Sequence, residues 1–184
     1  MQGDIVLLEK ERWKGHILPM PDYTAAEHYA VSVQRTREGF EVELSLRPLP
    51  EPRVFTPAEY DWPDRLYADH FEGAAAYGIV RGEELVAAVE ICPEEWNNRL
   101  RVTELWVKEG ERGRGLGKKL LAFAKEEGRR QKRRALVLET QSCNTRAIAF
   151  YLREGLSLIG LDLCSYSNED VSRGEVRLEL GLFL

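Results

Sequence analysis

At 184 residues, with 43% hydrophobic and 31% charged side chains, the chain is one globular domain, or one domain with an extension, and is neither disordered nor fibrous. A formal net charge of −5, three histidines and three cysteines with no C-x-x-C argue against a nucleic-acid partner and against a metal site. The start lacks a basic stretch, residues 5–8 are too short for a leader's apolar segment, and no apolar run has membrane-spanning length, so the expected location is cytoplasmic with no membrane partner.

Residues 4–12 suit either a short helix or a strand, and Pro19, Pro21 and Asp22 break the pattern. Residues 29–33 and 40–46 alternate apolar with polar side chains around Arg37, Glu38 and Gly39, which predicts a β-hairpin. Pro48, Pro50, Pro52 and Pro57 then predict a linker or extended loop. It divides an N-terminal extension, residues 1–52, from a main domain, residues 53–184. Residues 62–71 mix aromatic and polar groups and predict a short helix over an acceptor pocket. There Tyr67 and His70 either touch substrate or staple a loop to the core. Residues 75–80 and 85–91 flank Arg81 and Gly82 as a second hairpin, and residues 99–107 continue the sheet.

A helix is predicted over 115–132, with Leu116, Leu120, Leu121 and Ala124 on one face. Its end, Arg129, Arg130, Lys132, Arg133 and Arg134, reads as a solvated terminus that compensates the helix dipole. Residues 134–139 have strand length. Asn144 is placed to cap a further helix carrying Ala147, Ile148, Phe150 and Tyr151, and Gly155 suits its C-terminus. Two last strands, near 156–165 and 175–183, are expected to pair antiparallel. Cys143 reads either as a packing residue or as a thiol nucleophile, with no histidine nearby in sequence.

The most informative segment is Glu111-Arg-Gly-Arg-Gly-Leu-Gly-Lys118, between a strand pattern and a helix pattern. Glycines let the main chain approach a ligand closely and adopt positive φ. A helix that opens inside such a bend directs its first N–H groups and its positive dipole end at one point, which favours a phosphate or diphosphate. Arg112, Arg114 and Lys118 add positive charge. A P-loop is excluded because Lys119 stands where a hydroxyl residue is needed, and a dinucleotide loop because Lys118 occupies the third glycine position.

The pattern that fits is Arg112-x-x-Gly115-x-Gly117. It resembles the acetyl-CoA diphosphate loop of the GNAT N-acetyltransferase superfamily. The order of strand, glycine loop, helix, strand and Asn144-started helix with Phe150-Tyr151 is similar to that family's cofactor half. Leu138-Glu-Thr-Gln141, Gly160-Leu-Asp162, Tyr166-Ser-Asn-Glu169 and Glu175-Val-Arg-Leu178 resemble its streptothricin acetyltransferase-like branch. The resemblance covers residues 100–184 specifically and 54–99 loosely; residues 1–50 depart from the family's usual N-terminal strand and helix. It implies an α/β (α+β) fold: a mixed, mostly antiparallel central sheet with a splayed parallel strand pair, flanked by helices.

The resemblance further implies acetyl-CoA as co-substrate and direct transfer to a primary amine of a small molecule, such as a cationic antibiotic, by a monomer or homodimer. The cofactor arm would pair with the backbone of Leu105, Trp106 and Val107. Its diphosphate would meet Arg112, Gly113, Arg114, Gly115, Leu116, Gly117 and Lys118. Asn144, Ala147, Phe150 and Tyr151 would complete the cofactor side, Asn144 by a hydrogen bond to the cofactor arm and Tyr151 by protonating the leaving thiolate.

Glu104 is the candidate general base. Strand alternation puts it on the face of Trp106, where partial desolvation would raise its proton affinity. A surface carboxylate paired with Arg101 is the competing reading. Glu90 and Glu139, from neighbouring strands, are candidates for the same role or for binding a cationic substrate. Transfer to a protein or peptide amine, and acetyl-CoA sensing without catalysis, are the alternative functions.

Overall fold

The computed structural model describes residues 3–56 and 63–184. In chain order the elements are β1 (Val6–Leu7), α1 (Lys10–Trp13), β2 (Tyr23–Arg35), β3 (Phe40–Phe55), β4 (Ala75–Arg81), β5 (Glu84–Glu94), β6 (Arg99–Val107), α2 (Leu116–Arg130), β7 (Ala135–Gln141), α3 (Thr145–Arg153), β8 (Ser157–Asp162), α4 (Asp170–Arg173) and β9 (Arg177–Phe183). Two compact units divide the chain. The first takes residues 1–21, 57–138 and 182–184; the second takes 22–56 and 139–181.

In the first unit the strand order is β1, β4, β5, β6, β7. The first three pairings are antiparallel and β6–β7 is parallel, with Arg99↔Ala135 to Val102↔Leu138 in register. This is the mixed, mostly antiparallel sheet that the sequence led us to expect. The ambiguous residues 4–12 hold both kinds of structure, β1 and then α1. One sheet face carries a core of Leu8, Trp13, Leu18, Leu66, Tyr67, Ala76, Ala88 and Trp106. Helix α2 packs on β5 and β6 through the predicted stripe of Leu116, Leu120, Leu121 and Ala124, all at most 1% exposed. Truncating any of these leucines to alanine would cost about 2–5 kcal/mol. The basic end of α2 is ion-paired, Arg129 with Glu126 at 2.6 Å and Arg133 with Glu95 at 2.6 Å, as a solvated terminus requires.

The segment before β4 differs from the expected short helix. Leu18 donates its N–H to the Asp64 carbonyl, Gly15 donates to Leu66, and Leu66 donates to His16. Those main-chain groups pair with residues 15–18 as a strand would, so they are not available to a helix ladder. Trp62 and Pro57 lie outside the described residues.

In the second unit β2 and β3 form one long hairpin, in register from Tyr23↔Phe55 to Arg35↔Phe40. The expected proline linker is instead strand. The register jumps from Ala25↔Arg53 to Glu27↔Pro48, so Pro50 and Pro52 sit in a bulge where no ladder N–H is required of them. Tyr29, Val31 and Leu44 of the hairpin pack with Ile148, Val176 and Leu178. Strands β8 and β9 pair antiparallel. The short α4, which the sequence did not signal, starts at the buried Asp170. This carboxylate accepts from the Tyr166 N–H at 2.9 Å and the Ser167 hydroxyl at 2.8 Å. No helix among the described residues is long and apolar enough to cross a membrane.

Candidate active site

Strand β6 leads into the glycine-rich loop, and the loop's conformation follows from its sequence. A 3-10 turn, Glu109–Glu111, ends at Arg112 in extended geometry. Gly113 and Gly115 both take left-handed φ, +77° and +80°, which costs a side-chain-bearing residue about 1–2 kcal/mol. Gly115 is the N-cap of α2, and no side chain caps that terminus. The first helical bond runs from the Lys119 N–H to the Gly115 carbonyl at 3.0 Å. The N–H groups of Leu116 and Gly117 therefore have no acceptor within the helix and project beyond its end. With the dipole and the adjacent arginines, these donors can meet a dianionic group.

The side chains around the loop have distinct duties. Leu116 is 1% exposed and anchors the helix, so only its main chain faces the bend. The Arg112 Nε donates to the Val107 carbonyl at 3.2 Å, and Arg114 reaches the Glu111 carboxylate at 3.1 Å. Lys118 is exposed, whereas Gly117 is half-buried. Leu105 and Val107 are half-buried. Trp106 lies in the core, its indole N–H donating to the Pro19 carbonyl at 2.8 Å, so it offers a ligand its backbone only.

Glu104 and Glu90 stand directly opposite each other across the β5–β6 pair, on the face that carries Trp106 and Ala88. The register shifts between Glu90 and Ile91, so that Ile91 opposes Val102 and Thr103 is the extra residue of a bulge. Glu104 is half-buried. Glu90 is fully buried, accepting from the Thr103 hydroxyl at 2.8 Å and from the Tyr67 N–H. Burial pushes its pKa up, against the hydrogen bonds from Tyr67 and Thr103, which lower it. The Thr103 bulge was not legible in the sequence, since no glycine or proline marks it.

Tyr67 is a core residue, not a substrate-facing one. It is 5% exposed, its hydroxyl donates to the Leu8 carbonyl, and it accepts from the Ala76 N–H at 3.0 Å. Its φ of +57° is left-handed and directs its own N–H to Glu90. His70 is exposed and packs against the Phe71 ring, 4.2 Å between centroids.

In the second unit Asn144 caps α3 as expected, its side-chain oxygen accepting from the Ala147 N–H at 3.3 Å. Phe150 and Tyr151 are half-buried, with ring centroids 5.3 Å apart. Gly155, at φ +89°, closes the helix. The Leu156 N–H donates to the Tyr151 carbonyl and the Gly155 N–H to the Leu152 carbonyl, both at 3.0 Å. Cys143 is 2% exposed among Ala25 and Phe55, and burial raises its thiol pKa, so it packs rather than attacks. Glu139 is exposed and accepts a hydrogen bond from the Tyr166 hydroxyl. Burial and this carboxylate push the Tyr166 pKa up.

The sequence profile of the acetyltransferase (GNAT) family matches residues 40–156. A streptothricin acetyltransferase of Escherichia coli is 31% identical over 77% of this chain and 78% of its own length. This chain belongs to the GNAT acetyltransferase family. It is an acetyl-CoA-dependent N-acetyltransferase. A streptothricin acetyltransferase of Streptomyces lavendulae is likewise 31% identical, over 54% of this chain and 52% of its own. Among solved structures, nourseothricin acetyltransferase superposes over 100% of this GNAT chain and 99% of its own, with TM-score 0.70 and 23% identity. An acetyl coenzyme A complex of a Bacillus anthracis protein named for streptothricin acetylation covers 98% and 96%, with TM-score 0.70 and 20% identity. These two likenesses show the fold.

Proposed function

We propose that the enzyme moves the acetyl group of acetyl-CoA to a primary amine of a small cationic antibiotic of the streptothricin kind. The observation that carries the acetyl-CoA half is the uncapped start of α2, entered through the left-handed Gly113 and Gly115 with Arg112 and Arg114 beside them. The acceptor class is supported by relatives named for streptothricin acetylation that are 31% identical to this chain over the aligned residues.

In this reading the main chain from Arg112 to Lys118 holds the diphosphate, and the backbone of Leu105, Trp106 and Val107 lies along the pantetheine arm. Asn144, Ala147 and Phe150 complete the cofactor side. The co-substrate supplies a thioester carbonyl. Glu104 receives the proton of the substrate ammonium, so that the amine is neutral when it forms the C–N bond. The C–S bond breaks, the Tyr151 hydroxyl supplies a proton to the departing thiolate, and the proton lost from the acylated nitrogen restores the phenol by way of solvent. A phenol hydroxyl is a competent proton donor to a departing thiolate. Glu90 supports Glu104 from the opposite strand. Exposed Glu139 and His70 are the substrate-side candidates.

The test is release of free CoA thiol when protein, acetyl-CoA and streptothricin are mixed, with mass spectrometry of the antibiotic. A gain of one acetyl group supports the reading. Turnover on peptide amines but not on streptothricin would contradict the acceptor. Binding of acetyl-CoA without turnover on any amine would contradict catalysis.

A further inference from the structure

The β4–β5 hairpin grips the segment that leads into the glycine loop. At one side of its turn Arg81 donates to the Glu111 carboxylate at 2.7 Å. At the other Glu84 pairs with Lys108, whose N–H also donates to the Val86 carbonyl at 2.9 Å. Both ends of the 3-10 turn that launches the loop are thus tied to one hairpin.

Glu111 is the centre of this clasp. One of its oxygens takes Arg81, and the other takes Arg114 at 3.1 Å. Its side chain is only 17% exposed, whereas that of Arg114 is 62% exposed. The arginine hydrogen bonds hold its carboxyl below the usual carboxylate range, the one from Arg81 most strongly. A fixed negative charge beside a loop built for an anion works against binding by simple electrostatics. Its presence there makes sense if it orders the loop.

We propose that Glu111, anchored by Arg81, is a positioning residue for the acyl-CoA diphosphate: it presets Arg114 and the Gly113–Gly115 bend without touching the ligand. The proposal rests on the acetyl-CoA reading of the loop. Preorganising a binding loop lowers the ordering cost that the ligand would otherwise meet, so its loss appears in affinity and not in the chemical step.

Steady-state kinetics with acetyl-CoA and an accepted amine provide the test. Arg81→Met raises the KM and Kd for acetyl-CoA about three- to tenfold, leaving kcat at saturation and the amine KM within about twofold. Arg81→Lys, which keeps the charge, recovers most of the loss. The losses of Arg81→Met and Glu111→Ala do not add in the double variant. Unchanged acetyl-CoA affinity in Arg81→Met overturns the proposal. So does a parallel fall in kcat and both affinities that tracks a lowered Tm, the mark of general destabilisation. Absence of acetyl-CoA affinity in the unaltered protein is a different failure: it removes the reading of the loop, and this proposal with it.

Discussion

Tyr151 is held by its main chain as firmly as by its ring. Its carbonyl accepts from the Leu156 N–H across the glycine that ends α3, and its ring leans on Phe150. Tyr151→Phe keeps both the ring and these main-chain bonds. Tyr151→Phe is expected to lower kcat by about a hundredfold with acetyl-CoA affinity within about twofold, read by steady-state kinetics and titration. Unchanged turnover would remove Tyr151 from the acid role. Glu90 tests a different link, from burial to stability. Its folded pKa is raised, so the folded state binds this proton more tightly than the unfolded chain does. The group's contribution to stability is greatest below the ordinary carboxyl pKa and is lost as pH rises through the folded value. Glu90→Gln removes that dependence. The Tm of the variant minus that of the wild type should become more positive from about pH 4 to about pH 7. A difference that is flat or shrinks over that range would contradict the buried, desolvated carboxylate.

At the scale of elements, the loop and α2 make one unit of function. Gly115 combines φ +80° with the N-cap position of an uncapped helix. Gly115→Val should abolish acetyl-CoA binding and cost about 1–2 kcal/mol of stability, checked by titration calorimetry beside a thermal melt. A folded variant with normal affinity would refute the loop assignment. Much of this was legible in the sequence, because the signals are local. Glycine spacing marked the bend, the leucine stripe marked α2, and Asn144 and Gly155 bounded α3 through capping chemistry. Where the signals were non-local the sequence misled. Prolines at alternate positions suggest a linker, yet β3 carries them, with Pro48 opposite Glu27 and Pro50 and Pro52 in a bulge. Residues 62–71 read as a short helix, yet the main chain of Asp64 and Leu66 pairs with residues 15–18. Glu111 and Arg81 are 30 positions apart, and no periodicity links a loop carboxylate to a hairpin arginine. The sequence left Tyr67 open between a substrate contact and a staple, because burial of a phenol is decided by partners, here Leu8 and Ala76, that lie elsewhere in the chain.

At the scale of the molecule, the formal charge of −5 has to coexist with a site for a polyanionic co-substrate. In the proposed site Arg112, Arg114 and Lys118 gather at the start of α2, which no side chain caps. The surrounding cations of the α2 end are neutralised by Glu126, Glu127 and Glu95. An acidic background and a local basic bend also suit an enzyme whose other substrate is a cationic amine. The whole account turns on the diphosphate being held by the main chain of residues 112–118. Titration calorimetry of the unaltered protein with CoA, dephospho-CoA and pantetheine measures this directly. Dephospho-CoA, which keeps the diphosphate, is expected to bind within about fivefold of CoA, and pantetheine, which lacks it, at least about a hundredfold more weakly. Pantetheine binding as tightly as CoA, or dephospho-CoA falling to the level of pantetheine, would contradict the account.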